Sequence, residues 1–188
     1  MAPVAIVLPV RNAAPDLPAA LESLRRQRHR AFDCVIVDNG SADGSPEIAA
    51  QMAMADGRFR LVQEPRQGIV FALNTGIEAT HSPWIARMDA DDCAHPARLE
   101  QLLAHASAEP RVDVWASQVA HLPNRNGAAP SADTGLRHYI AWSNRLLTHA
   151  AMRAQRFRES PVVHPSVMFR RELVARYGAY RHGDFPED

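Results

Sequence analysis

Asp89, Asp91 and Asp92 stand together in the run Met88-Asp89-Ala90-Asp91-Asp92. Carboxylates at this spacing offer hard oxygen ligands for one Mg2+ or Mn2+ ion, and such an ion can bridge the two phosphates of a diphosphate. Asp38, ahead of Asn39-Gly40-Ser41, can accept a hydrogen bond from a base N–H or a ribose hydroxyl. By themselves these residues prove little, because 12 Asp in 188 residues give about 0.8 chance occurrences of Asp-x-Asp. Asp92 could equally cap a helix near Pro96, and Asp38 could belong to an ordinary turn.

Placement is what separates these readings. Val4 to Leu8 is a short apolar run, followed by Leu17, Leu21 and Leu24 on one helical face: strand, then helix. Phe32 to Val37 repeats the strand signal, and a helical stretch around Glu47 to Met54 follows. Strands are predicted again at Arg58 to Gln63, Trp84 to Met88 and Val112 to Val119, with helices over Ile69 to Ala79 and from Pro96 to about Ala106. Beyond a loop rich in Ala, Pro, Asn and Gly from Leu122 to Gly135, one long helix from Leu136 to Arg156, a strand from Val162 to Phe169 and a short helix from Arg171 to Tyr177 are predicted. Alternating strands and helices predict an α/β fold, with a mostly parallel sheet covered by helices on both faces. Arg11 and Asn12, Asp38, and Asp89, Asp91 and Asp92 each follow a predicted strand, so they share the carboxyl edge of that sheet, where ligands bind.

Composition narrows the chemistry. The 21 basic and 21 acidic residues give a net charge of +0, so no long-range field draws nucleic acid or an anionic membrane. All 21 basic residues are Arg, which removes phosphate-loop and Schiff-base lysines. The turn after the first strand, Pro-Val-Arg-Asn-Ala-Ala-Pro-Asp, has no glycine for a dinucleotide fingerprint. Without glycines or Lys at a phosphate, a metal ion is the natural neutraliser of a diphosphate. Cys34 and Cys93 form neither a zinc motif nor a disulfide framework, and Val4 to Val10 is too short to span a bilayer, so a cytoplasmic setting is expected.

Five motifs in order, AIVLPVRN, CVIVDNGSADGS, GIVFALNTGI, WIARMDADD and HPSVMFRRELV to FPED, resemble glycosyltransferase family 2 of the GT-A, Rossmann-like fold. The resemblance runs from residue 3 to residue 188 and implies a single domain over 1–188, with further acceptor-side structure beyond it. It implies that Pro9 and Arg11 flank a nucleotide and that Asp38 contacts its base. Asp89 and Asp91 would then serve ribose, diphosphate and a Mn2+ or Mg2+ ion. Glu187-Asp188 corresponds to the family's terminal acidic motif, with Asp188 as general base.

The implied reaction moves a sugar, with inversion, from a nucleoside-diphosphate sugar, foremost a UDP-sugar, to a saccharide or lipid-linked acceptor in surface polysaccharide synthesis. It leaves open peripheral association with the inner face of the membrane through a missing region. Two residues depart from the family pattern: Arg11 replaces a frequent aromatic residue, and Asn39 replaces a usual second Asp. A nucleotidyltransferase, or a fragment that binds donor without turnover, is the alternative, and a base on the last residue favours the fragment. Arg66 and Gln67 could reach the nucleotide from their loop, and His164 could lie near donor and acceptor. Asn74, Gly76, Tyr139 and Trp142 fit helix packing.

Overall fold

The computed structural model describes residues 3–122 and 134–183. Its centre is β1, Val4–Val10, in which all seven residues are buried. A strand apolar on both faces belongs in the middle of a covered parallel sheet. On one side it pairs in parallel with β2, Phe32–Asp38, which pairs in parallel with β3, Phe59–Gln63. On the other side lies β4, Trp84–Arg87, also parallel. The six-stranded sheet is completed by β5, Val114–Ala116, and β6, Val167–Arg170, in the order β3-β2-β1-β4-β6-β5. β6 runs antiparallel to both of its neighbours.

The period-two alternation of the strands sorts their side chains between two cores. Ile6, Leu8, Cys34, Ile36, Ala86 and Met88 face α1, Leu17–Arg25, and α4, Arg98–Ala108. Leu17, Leu21 and Leu24 of α1 are at most 1% exposed, and each such burial stabilises by about 1.5–3 kcal/mol. On the other face Val7 and Ile85 meet Leu73 and Ile77 of α3, Ile69–Glu78. Gly76 lets that helix approach: a Cβ there would overlap Val7 Cγ1 and lie 3.1 Å from Val37 Cγ2. The remaining helices are α2, Ser45–Ala55, α5, Thr134–Ser143, α6, His149–Gln155, and α7, Glu172–Tyr177.

Two expected elements are corrected. The long helix predicted over 136–156 is two helices, because Asn144 leaves the helix to grip the backbone of Val119. Its Oδ1 accepts from Val119 N at 3.0 Å and its Nδ2 donates to Val119 O at 2.7 Å. Thr148 then opens α6 by accepting from Ala151 N. The strand predicted from Val162 starts only at Val167, since His164–Ser166 form a 3-10 turn around Pro165, which has no N–H to give a ladder. Among the described residues, no helix is long and apolar enough to cross a membrane.

Candidate functional site

Strands β1, β2 and β3 end side by side, and β4 ends three residues earlier, with Arg87 opposite Val7. Val10 is in register with Asp38, and Asp38 with Gln63. The ladder continues one step further through Asn39 N to Val10 O (2.8 Å) and Glu64 N to Asp38 O (2.9 Å). The loops leaving this edge carry the polar residues singled out by their sequence positions.

Asp38 is 3% exposed, and its Oδ1 accepts from Ser41 N at 3.3 Å, so it does shape the turn that follows. Pro9 is buried within β1, in register with Val37, one residue short of the strand end. Arg11 is exposed and donates through Nη2 to Gln67 Oε1 at 3.0 Å, joining the loop after β1 to the loop before α3. The β1 and β2 loops are laced by Asn12 N to Ser41 Oγ (3.1 Å), Ala42 N to Asn12 Oδ1 (2.8 Å) and Ala14 N to Asp43 Oδ2 (3.0 Å). Asn12 adopts φ 51, a left-handed conformation that Asn tolerates better than most residues.

Asn39 was read from sequence only as the loss of a charge. In the structure it is a buried clip: Nδ2 donates to Glu64 O (3.0 Å) and Arg66 O (2.7 Å), and Oδ1 accepts from Gly68 N (2.8 Å). Glu64, 4% exposed, was not foreseen as a partner in this loop. Its carboxylate accepts from Arg66 N, Nε and Nη2 and from Thr75 Oγ1. Hydrogen bonds from the Arg66 side chain, then from Thr75, hold its pKa down at about 2. The alternation of polar residues in Gln63-Glu64-Pro65-Arg66 gave no hint of this.

Beyond β4, the carboxylate oxygens of Asp89, Asp91 and Asp92 lie within 4.8 Å of one another. An octahedral ion with oxygen ligands at about 2.1 Å spans about 4.2 Å between opposite ligands, a separation comparable with this limit. Mutual repulsion is already felt there. Asp92 reaches solvent at its outer side, yet its pKa is pushed up to about 6, first by burial and then by the charges of Asp89 and Asp91. The helix-cap alternative for Asp92 fails, because α4 starts at Arg98 with Ala97 at its cap position. Three hard oxygen donors that gain by neutralisation fit Mn2+ or Mg2+.

Arg87 ends β4 and pairs with Asp89 (Nη2 to Oδ1, 3.0 Å). Arg98 Nη2 donates to Arg87 O (2.8 Å) and to Pro165 O (2.9 Å), tying the acidic loop to the 3-10 turn. Burial lowers the Arg98 pKa to about 10, with Asp92 opposing. His164 in that turn meets Tyr180 Oη at 2.9 Å. Tyr180 is in turn held by Asn74, so Asn74 is a polar anchor as well as a packing residue. Tyr139 Oη donates to Val162 O, and Trp142 lies against Tyr139 with ring centroids 6.0 Å apart, a structural pairing. Glu187 and Asp188 lie outside the described residues.

A mostly parallel sheet with an acidic cluster in the loop beyond β4, at the carboxyl edge, defines an α/β protein of the doubly covered class. Comparison with solved structures makes the class more specific. The chain superposes with TM-score 0.66 on the mannosyltransferase PcManGT of Pyrobaculum calidifontis, solved with GDP-Man and Mn2+, at 23% identity over 95% of this chain and 47% of that one. It superposes equally, at TM-score 0.66, on S. aureus TarS 1–349 with UDP-GlcNAc, at 16% identity over 96% of this chain and 49% of that one. The fold is GT-A.

The model of glycosyl transferase family 2 matches residues 5–178, and the chain belongs to that family. EpsH of Bacillus subtilis (strain 168), which carries a provisional glycosyltransferase name, is 39% identical over 106 residues, 56% of this chain and 31% of that protein. The chain thus spans less than half the length of these relatives.

Proposed function

We propose that this chain forms the donor half of an inverting, metal-dependent glycosyltransferase that uses a nucleoside-diphosphate sugar, foremost a UDP-sugar. The observation that carries this reading is the convergence on one sheet edge of Asp38, the Arg11–Gln67 pair and the Asp89, Asp91 and Asp92 cluster. Asp38 is the acceptor for a base N–H, and Arg11 offers a planar guanidinium for the base to lie against. Asp89 and Asp91, with Asp92 beside them, hold the cation. When bound, it stabilises negative charge on the departing diphosphate. Support for a nucleotide-sugar donor and for Mn2+ comes from the neighbours solved with GDP-Man, UDP-GlcNAc and Mn2+.

Inversion requires one base to take the proton of the acceptor hydroxyl as it attacks the anomeric carbon. Asp188, with Glu187 beside it, is proposed for that role on the family resemblance. A saccharide or lipid-linked acceptor in surface polysaccharide synthesis, reached from the cytoplasmic side, follows from the same resemblance.

Thermal unfolding with uridine, guanosine, thymidine and cytidine diphosphates, each with and without Mn2+, tests the donor site. At about a hundredfold excess over Kd, binding adds about 2.7 kcal/mol of stability. A Mn2+-dependent upward shift with UDP, lost in Asp91→Asn, is the expected result. No shift with any nucleotide would sink the reading.

A further inference from the structure

Arg87 is anomalous where it stands. Its neighbours along β4, Trp84, Ile85 and Ala86, are all buried and apolar, and the alternation puts Arg87 on the face where Val7 and Ile85 pack against α3. An apolar residue is the default there. Instead the position holds a guanidinium on a residue only 6% exposed, and burying such a charge is costly unless it is paired. Its Nη2 lies 3.0 Å from Asp89 Oδ1, while Nε, also buried, meets no acceptor among the described residues. The strand end that carries it cannot drift, because Arg98 pins the Arg87 carbonyl and the Pro165 carbonyl with one nitrogen. The result is a positive charge held against one member of a three-carboxylate cluster from a fixed strand end.

We infer that Arg87 is a resident counter-cation of this cluster, a positioning residue that occupies Asp89 and makes divalent-cation binding depend on the arrival of a diphosphate. The inference rests on reading the cluster as the donor-diphosphate site. Paired with Asp89, the guanidinium competes with a bare divalent cation for that carboxylate. An arriving diphosphate draws the guanidinium to itself, which frees Asp89 for the ion. Nucleotide and metal therefore bind with positive coupling, and by linkage each raises the affinity of the other by the same factor. A residue that merely fills space or orients Asp89 would not oppose the bare ion, and its removal would leave cation affinity unchanged or lower it.

The test is calorimetric titration of the wild-type chain, Arg87→Met, Arg87→Gln and Arg87→Lys with Mn2+ alone, UDP alone and Mn2+ in the presence of UDP. The neutral variants are expected to bind Mn2+ alone about tenfold more tightly, with the UDP-induced gain in Mn2+ affinity reduced by a similar factor. Arg87→Lys keeps the charge and is expected to retain the wild-type coupling. Neutral variants that bind Mn2+ alone no better than wild type overturn the inference. Should both neutral variants fail to fold, the Lys variant decides, since loss of coupling with the charge retained overturns it and retention supports it. A wild-type chain that binds neither Mn2+ nor UDP refutes the donor-site reading itself, an outcome distinct from failure of the Arg87 variants.

Discussion

The side-chain oxygen of Asn39 accepts a hydrogen bond from the backbone N–H of Gly68 at 2.8 Å, joining the end of β2 to the residue that opens α3. The same amide donates to the carbonyls of Glu64 and Arg66, so both the oxygen and the nitrogen of its head group are engaged in a buried setting. An aspartate has the same shape but no hydrogen to give, and would set a carboxylate against two carbonyl oxygens. Asn39→Asp should therefore cost about 1–3 kcal/mol of stability, read from urea denaturation, and weaken binding at the proposed donor site by loosening the loop that carries Arg66 and Gln67. If the Asp variant unfolds at the wild-type midpoint, the clip has no energetic importance.

Glu64 gives that loop a pH dependence. Its pKa is lowered from the ordinary 4.5 to about 2, mainly by hydrogen bonds from Arg66 and then Thr75. A carboxylate whose folded pKa lies below its unfolded one contributes stability that is full above the unfolded value and lost as pH falls through the folded value. The difference in melting temperature between wild type and Glu64→Gln should thus be constant from neutral pH to about 5 and shrink between about 4.5 and 2. A difference that persists undiminished at pH 2.5 would rule out ionisation of Glu64 as its source.

Gly76 presents a packing test. An added methyl would overlap Val7 Cγ1 at the centre of β1, a short branched side chain in a buried region where it or α3 must shift to make room. Gly76→Ala should destabilise by about 1–3 kcal/mol despite the better helix propensity of Ala. Gly57, which has nothing within 4 Å of an added Cβ, is the control, and Gly57→Ala should stay within about 0.5 kcal/mol. Equal stability of the two variants would show that α3 can lift away from the sheet without cost.

The sheet was legible because its pattern is redundant. β1 is apolar throughout, polar runs follow β2 and β4, and Leu17, Leu21 and Leu24 repeat at helical spacing. The acidic cluster was legible for the same reason, since a strand end fixes where the next residues fall. Long-range side-chain bonds were not. Asn144 breaks the expected helix by gripping Val119, and Asn39 clips a loop through partners 25 to 29 residues away. Such bonds have no period and leave no local signature. Arg87 was missed for another reason: within the predicted strand Trp84 to Met88 nothing in the sequence separates a buried Arg from an exposed one, and only its burial does so.

Asn74 and Tyr180 form the longest such link. Asn74 Nδ2 donates to Tyr180 O (2.8 Å) while Tyr180 N donates to Asn74 Oδ1 (3.0 Å), so one amide imitates a rung of a β ladder across 106 residues. Near this rung His164 meets the Tyr180 hydroxyl, and the His182 ring lies 5.0 Å from that of Phe71 on α3. The segment after α7 is therefore held onto α3 by side chains rather than by sheet pairing, which makes its docking separable from the core. Asn74→Ala should cost about 1–3 kcal/mol by removing both bonds, yet its clearest readout is local. Hydrogen exchange at the Tyr180 amide should accelerate at least about tenfold while the amides of β1 keep their protection, because sub-global opening is governed by the contacts of the unit that opens. Affinity at the proposed donor site should not change, as the residues proposed for it, Asp38, Asp89 and Asp91, sit on other elements. Protection at Tyr180 that survives the substitution would mean the segment is held by something other than Asn74.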